Sequence, residues 1–228
     1  MLEFRRMPKS LSPRRRARRI KLLLFDVDGV LTDGKLYFFP SNSASSKPSV
    51  QSGKLQLAAS SRMIEFKGFH AHDGLAISLA RLGGLKTGLI TKRVSETVAG
   101  RARDLKLDYV AQGVDDKSAR FLEIVREAGL KPEEAAFVGD DIVDLPAMRA
   151  GGLAVAVKNA RAEVKKQANY TTPHAGGDGG LRDAVEFILK AQGKWKSVMQ
   201  QYIGGGNAQN SSRLSAISYR RKSKPRKT

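Results

Sequence analysis

The chain contains no cysteine, which excludes disulfide staples, zinc–thiolate sites and thiol nucleophiles. Aromatic residues are sparse, 7% of 228 residues with a single tryptophan. No zinc finger, homeodomain or aromatic-rich RNA-binding pattern is present. No apolar run approaches the roughly 20 residues of a membrane helix, so no membrane partner is expected. Acids are scarce beside bases, 22 Asp and Glu against 41 Lys and Arg, for a net charge of +19. That imbalance sits at the ends: residues 1–21 hold nine bases and one acid, and residues 213–228 hold seven bases and none. The middle is close to balanced, and its length suffices for one domain with a sizeable core. Residues 1–19 and 204–228 are therefore read as basic disordered tails flanking a domain at 20–203. Such tails invite weak, salt-dependent contact with nucleic acid or an anionic surface. The start lacks the apolar core of a secretory signal. A transit peptide, a loose tail and a true start at Met7 all stay open for it. A chain without cysteine fits the cytoplasm.

What is present is an alternation of short apolar runs and amphipathic stretches. "KLLLF" (21–25), "KTGLIT" (86–91), "DYVAQG" (108–113), "AAFVGDD" (135–141) and "LAVAV" (153–157) read as strands, the continuous runs among them covered on both faces. Helical spacing appears over 73–84, with Asp73 suited to the N-cap, and over 94–105, 117–130 and 181–192. "KLYFF" (35–39) and "RMIEFKGF" (62–69) read as the arms of a β-hairpin enclosing a Ser-rich insert within 35–69. The βαβα order predicts an α/β fold with a doubly wound parallel sheet. "GGDGG" (176–180) lacks the strand and spacing of a dinucleotide fingerprint and reads as a flexible turn.

In open parallel sheets ligands gather beyond the carboxyl ends of the strands. There the first strand delivers Asp26 and Asp28, the next Thr91, and the strand at 135 delivers Asp140 and Asp141, with Asp144 a turn later. Lys117 opens the helix between them. Taken singly, each has an ordinary explanation: loop acids, or a solvated lysine. Together, several carboxylates at one edge need a hard cation, most simply Mg²⁺. Mg²⁺, Lys117 and Thr91 make a receptor for a phosphoryl group. A carboxylate beside phosphorus can attack it, so Asp26 is read as nucleophile and Asp28 as acid/base. Asp144 is read as orienting Lys117 or capping a helix. His70, His72 and His174 raise the question of zinc, but no third ligand lies near the first two in sequence.

"DVDGVLTD", "LIT", Lys117 and "VGDDIVD" resemble, in order and spacing, the four motifs of the haloacid-dehalogenase-like phosphatases. "FKGFHAHDGLAI", "YVAQGVDDK", "GLAVAVKNA" and "GGDGGLRDAVEFILKAQGKW" are similar to the 3-deoxy-D-manno-octulosonate 8-phosphate phosphatases. The likeness covers roughly residues 20–195. It implies a Rossmann-like core and Mg²⁺-dependent hydrolysis of a sugar-acid phosphate through an aspartyl-phosphate, in lipopolysaccharide biosynthesis. The alternatives are another, nine-carbon sugar-acid phosphate, or a non-catalytic oligomerisation module. Carried over by position, Asp26, Asp140 and the Asp28 carbonyl would hold the metal. Substrate contacts would fall on His70, His72, Asp73, Gly74, Arg93, Arg101, Lys117 and Asp141. Only about 26 residues separate Thr91 from Lys117, too few for a cap domain, so the resemblance implies a capless site closed by neighbouring subunits of a homotetramer. The chain departs from the family pattern at His72 and Ser78, where relatives often carry arginine, and at Lys92, where they carry glycine. The departures bear on the sugar acid more than on the chemistry.

Overall fold

The computed structural model describes residues 11–40 and 63–204. The Ser-rich insert and the outer parts of both basic tails lie outside the described residues. In chain order the elements are α1 (Pro13–Ala17), β1 (Leu22–Phe25), β2 (Tyr37–Pro40), β3 (Met63–Phe66), α2 (Ala71–Leu82), β4 (Lys86–Ile90), α3 (Glu96–Leu105), β5 (Tyr109–Ala111), α4 (Lys117–Glu127), β6 (Ala135–Gly139), α5 (Leu145–Ala150), β7 (Leu153–Ala156), α6 (Ala162–Gln167), β8 (Tyr170–Thr171) and α7 (Gly180–Ala191). Six strands form one sheet in the order β5-β4-β1-β6-β7-β8, with every pairing parallel. Helices flank it, α2 packed on α7 and α4 on α5. β2 and β3 form a separate antiparallel pair. This is the doubly wound sheet with a hairpin insertion that the alternating runs predict.

β1 lies in the middle and is buried throughout. "LLLF" has no polar position because both of its faces are covered. Phe25, Phe121 and Phe137 are among the largest fully buried side chains, each contributing on the order of 2–3 kcal/mol of burial. Register aligns Phe25 with Leu89 on one side and Val138 on the other. The residues that follow, Asp26, Thr91 and Asp140, therefore emerge at one edge of the sheet.

Two expectations need correction. The tail assigned to residues 1–19 is folded over its last part. Ser12 caps α1 by accepting from Arg15 N, and Pro13 opens the helix. Arg16 is buried and donates to Gly152 O at 3.0 Å, and Arg18 donates to Ala191 O at 3.2 Å. Some of the basic charge is thus structural: guanidinium groups satisfy carbonyls at the far end of the sheet. Second, Asp73 does not cap its own helix. α2 begins at Ala71, after His70 as N-cap. Asp73 instead caps α7 from a distance, accepting from Gly179 N (3.1 Å) and Arg182 N (2.9 Å), where the helix dipole favours an anion.

The turn at 176–180 is a close-packed brace. Gly177 N donates to Val30 O at 3.0 Å, and a Cβ at Gly176 would fall on the Gly29 carbonyl. The brace supports the loop carrying Asp28. Among the described residues no helix is long and apolar enough to cross a membrane.

Candidate active site

Asp26 follows β1 directly. Its N–H donates to Val138 O at 3.0 Å, continuing the ladder with β6, which fixes its side chain at the sheet edge. The chain then turns sharply at Gly29 (φ +92°), where a Cβ would overlap the Asp140 carboxylate. Only glycine permits this approach of the two acidic loops. Asp140 follows β6, Thr91 follows β4, and Lys117 opens α4 behind Asp116, which accepts from Ser118 N and Ala119 N.

Asp26, Asp140 and Lys117 converge with Asp144. Lys117 Nζ lies 2.8 Å from Asp26 Oδ1 and 2.7 Å from Asp144 Oδ1, and all three residues are buried. The second oxygen of Asp144 accepts from Asp140 N at 3.0 Å and Asp141 N at 3.3 Å. Both oxygens of Asp144 are thereby committed. Its work is to hold Lys117 and shape the acidic loop, the orienting role expected of it. Thr91 is buried, and its Oγ1 accepts from Arg93 N at 3.4 Å.

Asp26, Asp140 and Asp144 each place a carboxylate oxygen within 4.8 Å of the others. Burial first, then the charge of Asp144, raises Asp26 to about 6 despite Lys117. Burial, then Asp144, Asp26 and Asp141, raises Asp140 to about 7. Burial also opposes the charge on Lys117, but Asp26 and Asp144 outweigh it and raise its pKa. One lysine does not compensate three acids. Asp140 Oδ1 is buried without a hydrogen-bond partner, an expensive state unless it has a ligand. A hard divalent cation between Asp26 and Asp140 fits this donor set.

Asp28 has its own set of charged partners. Its side chain meets Lys67 and Arg93, with Arg93 Nε 3.6 Å from Oδ2. Lys67 was not anticipated from sequence. Its partner lies 39 residues away, across the Ser-rich insert, and a single lysine in "EFKGF" gives no local signal.

The expected substrate contacts divide. Arg93 sits at Asp28, Lys117 at Asp26, and Asp141 caps the turn over 142–144 by accepting from Ile142 N at 2.7 Å. His70 and His72 line a separate recess of about 610 Å³ with His174, Asp178 and Arg182. None of Asp26, Asp28, Lys117 and Asp140 lines it. The fold thus brings the third histidine near the first two. The described residues nonetheless offer one cluster of metal-ligand geometry, the three aspartates. Asp73 has no exposed surface and both its oxygens serve α7, so it is unavailable to a substrate: its assignment as a contact is corrected to a structural one. Gly74 is covered by Arg101, whose guanidinium lies 5.6 Å from the Phe69 ring centre.

Residues 90–184 match the haloacid dehalogenase-like hydrolase family. The chain is 33% identical over 196 residues to the 3-deoxy-D-manno-octulosonate 8-phosphate phosphatase KdsC of Escherichia coli, covering 86% of this chain and 93% of that protein. It superposes with TM-score 0.70 and 30% identity on the 3-deoxy-D-manno-octulosonate 8-phosphate phosphatase from Moraxella catarrhalis in complex with magnesium, phosphate and KDO, covering 83% and 97%. The cobalt-bound deoxy-D-mannose-octulosonate 8-phosphate phosphatase from Haemophilus influenzae superposes with TM-score 0.64 at 30% identity, covering 78% and 92%.

Proposed function

The chain belongs to the 3-deoxy-D-manno-octulosonate 8-phosphate phosphatase family of haloacid dehalogenase-like hydrolases, and on that premise we propose how its residues carry out the reaction. It is a Mg²⁺-dependent phosphomonoesterase acting on 3-deoxy-D-manno-octulosonate 8-phosphate. The observation that carries this reading is the Asp26–Lys117–Asp144 cluster with the unpaired Asp140 oxygen beside it. Asp26, Asp140 and the Asp28 carbonyl would hold Mg²⁺, which would neutralise negative charge on the phosphoryl oxygens. An Asp26 carboxylate oxygen forms a bond to phosphorus as the ester bond to the sugar oxygen breaks. Asp28 gives that oxygen its proton. Asp28 then takes a proton from water, whose oxygen attacks phosphorus, releasing phosphate and restoring Asp26. Lys117 and the Thr91 hydroxyl face the remaining phosphoryl oxygens. Arg93, Arg101, His70, His72, Gly74 and Asp141 are the remaining candidates for the sugar acid, with Arg93 beside Asp28.

A panel of sugar-acid phosphates assayed with Mg²⁺ and with excess chelator tests this. Turnover of the eight-carbon ester, abolished by chelator, is expected. Preference for a nine-carbon ester would move the substrate and keep the mechanism. Inactivity on every ester would favour the non-catalytic oligomerisation module.

The proposal extends to assembly. Phe38, Phe39, Ile64 and Phe66 on the hairpin are all exposed, Phe66 at 60%, although "YFFP" and "MIEF" are strand sequences suited to burial. A homotetramer built through the hairpins would cover them. Phe39→Ser with Phe66→Ser is expected to give smaller particles by sedimentation and a lower rate per chain. An unaltered particle size would remove the hairpins from the interface. The same reading places the enzyme in lipopolysaccharide biosynthesis in the cytoplasm.

A further inference from the structure

A cation faces each oxygen of the Asp28 carboxylate. Lys67 Nζ, with no exposed side-chain surface, bonds Oδ1 and also lies 3.1 Å from Glu65 Oε1. Arg93 Nε faces Oδ2 at 3.6 Å while its Nη2 meets the same Glu65 oxygen at 3.3 Å. The four side chains form a ring of alternating charge, two acids and two bases. The ring is tied to α3: Thr97 Oγ1 donates to Glu65 O at 3.3 Å.

A fully buried ammonium is costly unless its partners are placed with care, and here the partner is the acid/base. We propose that Lys67 is a positioning residue, holding the Asp28 carboxylate at the leaving oxygen, with Glu65 as the spacer between Lys67 and Arg93. The exit arm of the hairpin is then part of the catalytic apparatus rather than solely an assembly element. This rests on the phosphatase reading. Glu65 matters because two cations facing Asp28 alone would compete to draw it aside. A carboxylate shared between them fixes their separation.

The expected effect is large. Acid–base catalysis contributes about 10²–10⁴-fold, and a misplacement of about 1 Å costs on the order of 100-fold. Lys67→Met is expected to lower kcat about 100-fold with KM changed less than about threefold. Beryllium fluoride should still label Asp26 in that variant, seen by fluorine NMR. Lys67→Arg, which keeps the cation, should recover at least about tenfold. Because Lys67 acts through Asp28, adding Lys67→Met to Asp28→Asn should cost little beyond Asp28→Asn alone. Additive losses, or a loss carried by KM, would overturn the proposal, the latter making Lys67 a substrate contact. If Lys67→Met does not fold, Lys67→Gln is measured in the same cycle and judged by the same outcomes. Should the wild type hydrolyse no ester, the functional reading fails separately. A crystal structure of Lys67→Met would then decide the positioning claim: a displaced Asp28 carboxylate supports it, an unmoved one overturns it.

Discussion

Asp26→Asn is expected to abolish turnover, by on the order of 10⁴-fold or more, without unfolding the protein. The replacement is nearly isosteric and sits at the end of a buried central strand, so packing changes little. The backbone bond to Val138 O is untouched. What disappears is the attacking oxygen: an amide oxygen does not displace an alkoxide from phosphorus. The electrostatic consequence points the same way. The variant loses one attraction to Lys117 but also the repulsion with Asp144 and Asp140 that raises the acids of the site. Its metal-free stability at pH 8 should therefore stay close to that of the wild type. Rate measurements on the eight-carbon ester, circular dichroism and fluorine NMR with beryllium fluoride check this together. Retention of more than about 1% activity, or a fluoride adduct on a residue other than Asp26, would remove Asp26 as nucleophile.

Lys117→Met should be the most damaging single change to stability in the site. Removing one member of a buried ion cluster costs about 3–5 kcal/mol because the remaining charges are stranded. Here two carboxylates, Asp26 and Asp144, lose their shared cation, with Asp140 alongside. Turnover should also fall about 10²–10³-fold, the usual cost of losing a charge-stabilising donor. The loss is expected to depend on pH. Asp26 and Asp140 titrate near 6 and 7 in the folded protein, above the ordinary 3.8. Between roughly pH 4 and 7 the folded state thus holds more protons than the unfolded one, so metal-free stability falls as pH rises and levels off above both values. Without Lys117 the carboxylates are pushed up further, so the deficit against wild type should be larger at pH 8 than at pH 5. Mg²⁺ should narrow it at pH 8. Urea unfolding in chelator at the two pH values measures this. Equal deficits at both would assign the loss to packing rather than charge.

The legibility of the chain varied with the range of the interaction involved. β1, β4, β6 and β7 were readable because continuous apolar runs bounded by acids or glycines have few alternatives. Asp26, Thr91, Lys117 and Asp140 were readable because each follows a strand or opens a helix at the edge where such sheets bind ligands. α1 was missed although Ser12 and Pro13 announce it, because arginine content argued for a tail. Its stability comes from carbonyls of Gly152 and Ala191, far off in sequence. Asp73 looked like the cap of its own helix and caps another, since any nearby set of free N–H groups can claim a carboxylate.

The order of residues alone determined the parallel sheet, the edge at which the acids gather, and the need for a cation among them. Periodicity and the position of a residue relative to a strand end are local properties, carried by covalent neighbours. Only the folded chain decided which base answers which acid: Lys117 to Asp26 and Asp144, Lys67 and Arg93 to Asp28, backbone amides to Asp73. Electrostatic pairing acts through space and depends on burial, and two of those pairings span 39 and more than 100 positions, a distance over which no sequence period persists.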